Sequence, residues 1–112
     1  MFSYLYENGK KNPIYQYRLF LPKMFEQYLA EFLGATFFVY VILATGNPLA
    51  IGAALALVIL LTSNISGGHI NPAVSVVMAS FGKLSTSDLI PYCLAQIGGA
   101  LVALEIYKRF RL

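Results

Sequence analysis

Ser66-Gly67-Gly68-His69-Ile70-Asn71-Pro72-Ala73-Val74 is a glycine pair followed by an Asn-Pro step, and no charged residue on either side marks a return to water. Non-helical backbone at membrane depth is tolerated only where protein buries it or where it lines a wet cavity. Pro72 fits the first position of a helix and Asn71 its cap. The helix so begun can run only to about Ser80 before Phe81-Gly82-Lys83 ends it. Roughly nine residues rise ~13 Å, about half of a bilayer core, so residues 67–82 are expected to enter the membrane and come back. The plainer reading, an ordinary turn with Asn71 as its cap, would strand the apolar stretch from Ala73 to Ala79 in water.

The flanks make a membrane the setting. The 112 residues are 58% hydrophobic and 12% charged, with a mean hydropathy of +0.67, whereas soluble domains are about one quarter charged. From Phe32 to Gly82 there is no Asp, Glu, Lys or Arg. That run is more than twice the roughly 20 residues one helix needs to cross a core of ~30 Å, so a single anchor is excluded. The net charge of +3 and the pI near 9.1 do not imply nucleic acid, because the basic residues flank apolar segments at the chain ends and form no stripe. Cys93, the single cysteine, has no ligand-spaced Cys or His and reads as a small packing residue. No metal and no cofactor are expected. Met1 to Pro22 is studded with Tyr, Asn and charge, so a cleaved signal peptide is not expected either.

Outward from the loop, residues 1–23 mix aromatics with Lys10, Lys11, Arg18 and Lys23 and are broken by Gly9, Pro13 and Pro22. This reads as an irregular or partly helical interfacial segment. Pro22 suits a helix start, and residues 23–45 then rise about 34 Å, a first crossing. Gly46-Asn47-Pro48 is so short a turn that a second helix, about 49–66, must return alongside. Past the re-entrant segment, Ser85-Thr86-Ser87-Asp88 offers caps, and residues 88–107 make a third crossing with Pro91 tolerated in its first turn. Residues 108–112 are a basic tail. The expected fold is an all-α membrane protein, three transmembrane helices and one re-entrant half-helix, with its body over residues 24–107.

A half-helix that starts near the midplane brings roughly +0.5 of partial charge and several free N–H groups there, which disfavours cations and protons. Asn71 can donate its amide to a passing water or hydroxyl oxygen. Gly67 and Gly68 admit positive φ and close approach, and the carbonyls from Gly67 to Ile70 would line the pathway with acceptors. Donor at the centre and acceptors below it orient a file of small polar solutes. No nucleophile, carboxylate pair or metal cluster converges in the sequence, which disfavours an enzyme.

These residues carry a resemblance. The stretch from Ser66 to Val74 is similar to the first Asn-Pro-Ala loop of the major intrinsic proteins, the aquaporin and aquaglyceroporin family. Ala30-Glu31-Phe32-Leu33-Gly34 resembles the start of that family's first helix, and Ala95-Gln96-Ile97-Gly98-Gly99-Ala100 its third. The family is built as two inverted halves, and this sequence resembles the first, one aquaporin-like repeat without the second Asn-Pro-Ala or its following arginine. The resemblance implies a pore lining of Gly67, Gly68, His69, Asn71, Pro72 and Ala73. It puts Ile51 where water-selective members carry an aromatic filter residue, which argues for a wider, more apolar constriction.

Glu31 has three readings: an intramembrane functional carboxylate, a solvated group favoured by the helix N-terminus, or, as the resemblance implies and as we favour, an acceptor for the loop backbone. Gln96 is expected to tie loop or helix backbone. His69 either borders the pore, as the resemblance implies, or is a satisfied, silent side chain. Small residues at helix-packing spacing, Ala30 and Gly34, Gly52 and Ala56, then Ala95, Gly99 and Ala103, are expected to bring helices together. The function implied is passive permeation of water, and of small neutral solutes such as glycerol, through a pore completed by an antiparallel copy in a homo-oligomer, by a separately encoded second half, or by continuation of the reading frame beyond Leu112. The alternative is a non-conducting remnant or small subunit that associates with intact channels. Three crossings put Lys10, Lys11, Arg18, Lys23 and Lys83 on one side against Lys108, Arg109 and Arg111, a weak bias for a cytoplasmic N-terminus.

Overall fold

The computed structural model describes residues 6–110, with the side chains of residues 6, 7 and 15–21 left aside. The expected interfacial placement of residues 1–5, and the end of the basic tail, lie outside the described residues. The chain opens with a small hairpin, β1 (Tyr6–Glu7) paired antiparallel with β2 (Lys10–Lys11). Asn8 and Gly9 between them both have positive φ, 52° and 76°, as a two-residue turn that matches strand twist requires.

Four helices follow. The first, α1, covers Pro13–Thr45, so it starts about ten residues earlier than the expected start near Lys23. Pro13 and Pro22 both fit a first helical position; the choice falls on Pro13 because the Asn12 side chain accepts from the Ile14 N–H at 3.0 Å and caps the helix there. Pro22 lies inside the helix, where it costs one hydrogen bond of the ladder. Gly46 ends α1 in the left-handed conformation at φ 56°, and Asn47 immediately caps α2, Pro48–Thr62, accepting from Leu49 and Ala50 N–H at 2.9 and 3.2 Å. The helix α2 stops four residues short of the expected Ser66. Turn hydrogen bonds continue its path from Ser63 to Gly67, and the chain then runs without regular secondary structure to Asn71.

The nine-residue α3, Pro72–Ser80, begins at the Asn71 cap and gives way at Phe81 and Gly82, the latter at φ 85°. The last helix, α4, spans Thr86–Arg109. It starts two residues before the expected Asp88, so Pro91 lies within it rather than at its first turn. Two stretches, Pro22–Thr45 and Thr86–Arg109, are apolar and long enough to cross a membrane.

α1 is the central element, packed on α4 along its length and on α2, while α3 leans on α4. Small residues set the approach. A Cβ on Gly99 would fall on the Phe32 carbonyl, and one on Gly34 would come within 2.7 Å of Ile70 Cδ1 and 2.8 Å of Val58 Cγ1. Ala35, Val58 and Ile70 form a small apolar core there. Gly52 departs from the expectation of helix packing: it is exposed and a Cβ on it would meet nothing within 4 Å. The spacing is right, but that face of α2 has no neighbour among the described residues.

The distribution of polarity is that of a protein in lipid. Leu49, Leu60, Leu94 and Phe81 are among many large apolar side chains on the outside, while Glu31, Ser66, His69, Ser75 and Gln96 are buried.

Candidate functional site

The buried polar residues converge behind the loop. Glu31, fully buried in α1, accepts through Oε1 from the Ile70 backbone N–H at 3.0 Å and from Gln96 Nε2 at 2.9 Å, and through Oε2 from Ser66 Oγ at 3.0 Å. One carboxyl group thus joins the loop to α1 and α4. Hydrogen bonds to a charged acceptor are roughly twice as strong as neutral ones, and a carboxyl group out of water needs such partners.

Gln96 Nε2 also donates to Ser75 Oγ at 2.9 Å, and Ser75 Oγ lies 2.9 Å from His69 Nδ1. Tyr92, one turn before Gln96 on the same face of α4, donates its hydroxyl to the Ser66 carbonyl at 2.7 Å. Its ring lies 5.2 Å from that of His69 and edge-on to Tyr28 at 5.9 Å. Tyr28 in turn donates to Asp88 at 2.7 Å, which ties α1 to the first turn of α4.

This scaffold holds the loop in a conformation it would not adopt freely. Gly67 and Gly68 have φ of 92° and 65°, and Ile70 has φ 64°. For a β-branched residue that is an outlier costing on the order of 1–3 kcal/mol. The Glu31 bond and burial of the Ile70 side chain among Val58 and Ala35 offset it. Gly68 is needed for a second reason, since a Cβ there would come 3.3 Å from the backbone of Ile59.

The loop's opposite side is open. Asn71 is exposed, with Oδ1 held by the Ala73 N–H at 2.8 Å, so its amide N–H₂ remains as the donor. The carbonyls of residues 67–70 accept no hydrogen bond from the described residues. Gly67 and Ala73 are exposed, Pro72 is half-buried, and Gly68 and His69 are turned into the protein. Ile51 is half-buried near the start of α2, about 16 Å along the helix axis from Thr62, and does not join this cluster. Among the described residues no three His, Cys, Asp or Glu side chains come together as metal ligands.

Ser75, Tyr92 and Tyr28 escape the sequence reading, and Asp88 enters it only as a candidate helix cap. A signal for one of them exists: Tyr92 recurs with Gln96, Gly99 and Ala103 at helical spacing, the buried stripe of α4.

Comparison with known proteins now bears on this geometry. The Major intrinsic protein family model matches residues 19–111. Glycerol uptake facilitator protein-like 6 of Lactiplantibacillus plantarum is 43% identical over 93 residues, covering 75% of this chain and 43% of the relative. Aquaporin-8 of Notomys alexis is 38% identical over 99 residues, 75% of this chain and 38% of the relative. Aquaporin Z of Brucella melitensis is 44% identical over 61 residues, 54% of this chain and 27% of the relative. The chain therefore spans about two fifths of the length of the first two relatives. No solved structure matches it.

Proposed function

The chain belongs to the major intrinsic protein family, and from that premise we propose that it forms one half of a membrane pore for water and small neutral solutes such as glycerol. The observation that carries the reading is the exposed Asn71 amide, a donor at the head of a half-helix, beside carbonyls of residues 67–70 that bond to no described residue. Such a face does not survive against lipid tails, because each unsatisfied backbone group costs several kcal/mol there. It calls for protein on the other side and polar solute between.

In this reading α1, α2 with its following turn, and α4 cross the bilayer, α3 enters and returns, and the N-terminus is cytoplasmic. Gly67, Asn71, Pro72 and Ala73 line the path near its centre with Gly68 and His69 bordering it from the loop's buried side, Ile51 lines its far mouth, and Glu31 and Gln96 hold the loop from behind. The second half comes from a copy in the opposite orientation, from a separate partner, or from chain that follows residue 112.

The test is osmotic water flux in liposomes, with the chain reconstituted alone and beside a second aquaporin half. Flux above that of protein-free vesicles is expected with a partner present. Asn71→Asp keeps an Oδ acceptor for the cap but places negative charge in the path, and should abolish the flux while helix content stays unchanged. No gain in flux with either kind of partner would overturn the pore and favour a non-conducting subunit.

A further inference from the structure

Two apolar grooves lie side by side at the C-terminal end of α4, and we propose that together they hold one diacyl phospholipid whose phosphate rests on Arg109. One groove, of about 390 Å³, runs between α1 and α4 from Tyr40 past Thr36 and Phe37 to Leu33. The other, of about 360 Å³, runs along α4 from Arg109 past Glu105 and Val102 to Leu101. Ile106 and Phe110 line both and form the ridge that parts them. Leu33 and Tyr40 are seven residues apart and Leu101 and Arg109 eight, about 10 and 12 Å of helix, which fits within one leaflet of a core of ~30 Å. Two parallel chains joined at one end fill this shape, whereas a single chain leaves one groove empty. The backbone that carries the ridge is held past the last turn of α4: the Phe110 N–H donates to the Ile106 carbonyl at 2.8 Å, and the Phe110 carbonyl accepts from the Tyr40 hydroxyl at 3.3 Å. Tyr40 and Tyr107 meet edge-on at 6.4 Å, aromatic side chains of the kind that sit at headgroup level.

Charge selects the head. Glu105 and Lys108 pair at 3.7 Å and offset each other, and Arg109 has no carboxylate partner among the described residues. Arg109 is exposed on the rim of the second groove, so among those residues one cation is left unbalanced at the mouth. Its guanidinium is weakly hydrated and offers a planar fork that takes phosphate oxygens two at a time. A phospholipid whose phosphate is its only charge, phosphatidylglycerol for example, restores the balance, whereas a choline head brings a second cation up to Arg109 and Lys108. The groove between α1 and α2, of about 340 Å³, has no charged side chain on its rim, and nothing there distinguishes one headgroup from another.

The chain has no tryptophan, so Phe110→Trp puts a single fluorescent reporter on the ridge, and Leu60→Trp, on an exposed position of α2, is the control. The full chain is reconstituted in phosphatidylcholine vesicles, and phosphatidylglycerol or phosphatidylcholine with brominated acyl chains is added as quencher. At the ridge the relative affinity for phosphatidylglycerol should be about fivefold higher, the factor that one cation supplies at an anionic headgroup, while the control is quenched equally by both. Arg109→Gln should abolish the preference and Arg109→Lys should keep part of it. Equal quenching at the ridge, or a preference that survives Arg109→Gln, overturns the site. Mass spectrometry of the chain without the reporter, released intact from detergent, guards against a ridge disturbed by the tryptophan: one retained phosphatidylglycerol per chain is expected, and none with Arg109→Gln. Retention that is absent from both chains or equal in both also overturns the site. Neither readout needs a conducting pore, so failure of flux and failure of the lipid site are separate results.

Discussion

Glu31 replaces, within one residue, what a soluble loop would take from water. Its three donors come from the loop and from α4, and all are out of solvent. Truncation to alanine leaves the Ile70 N–H unpaired and takes the carboxylate partner from Ser66 Oγ and Gln96 Nε2, and each buried unsatisfied group costs about 1–3 kcal/mol. Glu31→Ala is therefore expected to lower stability by about 3 kcal/mol or more, the more so because the left-handed backbone of Ile70 loses the bond that offsets it. Denaturant titration of helix content in detergent checks this; a midpoint equal to the wild type would show that the loop is held by other means. The site is partly legible at this scale. Asn71, the glycines and the carboxylate stand out by residue type, because polar groups in an apolar run are conspicuous. Ser75 and Tyr92 do not, because serine and tyrosine are ordinary on helices and their partners lie 6 to 26 residues away or across helices.

Helix boundaries show where local chemistry suffices and where it does not. α3 has a cap, a proline and a glycine at its ends, and its extent follows from them. The start of α1 is ambiguous because two prolines compete, and only the Asn12 cap decides. The small-residue spacing marks helix contacts but not which are made within this chain. Gly99 meets the Phe32 carbonyl and Gly52 meets nothing, although both sit in the same kind of pattern. Opposite outcomes are expected for the same substitution at the two sites. Gly99→Ala must push α1 from α4 and should destabilise by about 1–3 kcal/mol, the usual range for overpacking. Gly52→Ala fills open space in a helix and should be neutral or stabilising by up to about 1 kcal/mol. Paired unfolding curves in one detergent decide the matter, and equal losses at both sites would mean that α2 is covered in the monomer.

Across the whole molecule the polar interior and apolar exterior leave two surfaces to account for, the lipid-facing side and the loop face that presents Asn71. Which way the chain inserts decides what partner can close the second. In the proposed topology Lys10, Lys11 and Lys83 lie on the side of the N-terminus and of the α3–α4 turn, and Lys108 and Arg109 on the other. Cations near helix ends set orientation through their excess on the cytoplasmic side, and here the excess is small. A chain with a small excess responds to few changes. With Cys93, the single cysteine, replaced by alanine, a new cysteine at Ser87 beside the α3–α4 turn should resist a membrane-impermeant thiol reagent in intact cells and react after lysis. Changing Lys10, Lys11 and Lys83 to glutamine removes the excess and should bring much of that cysteine to the outside. If the reagent reaches it fully before the lysines are changed, the N-terminus is external. If reaction is partial in the unaltered chain, both orientations coexist, and an inverted copy becomes available to close the loop face without any second gene product.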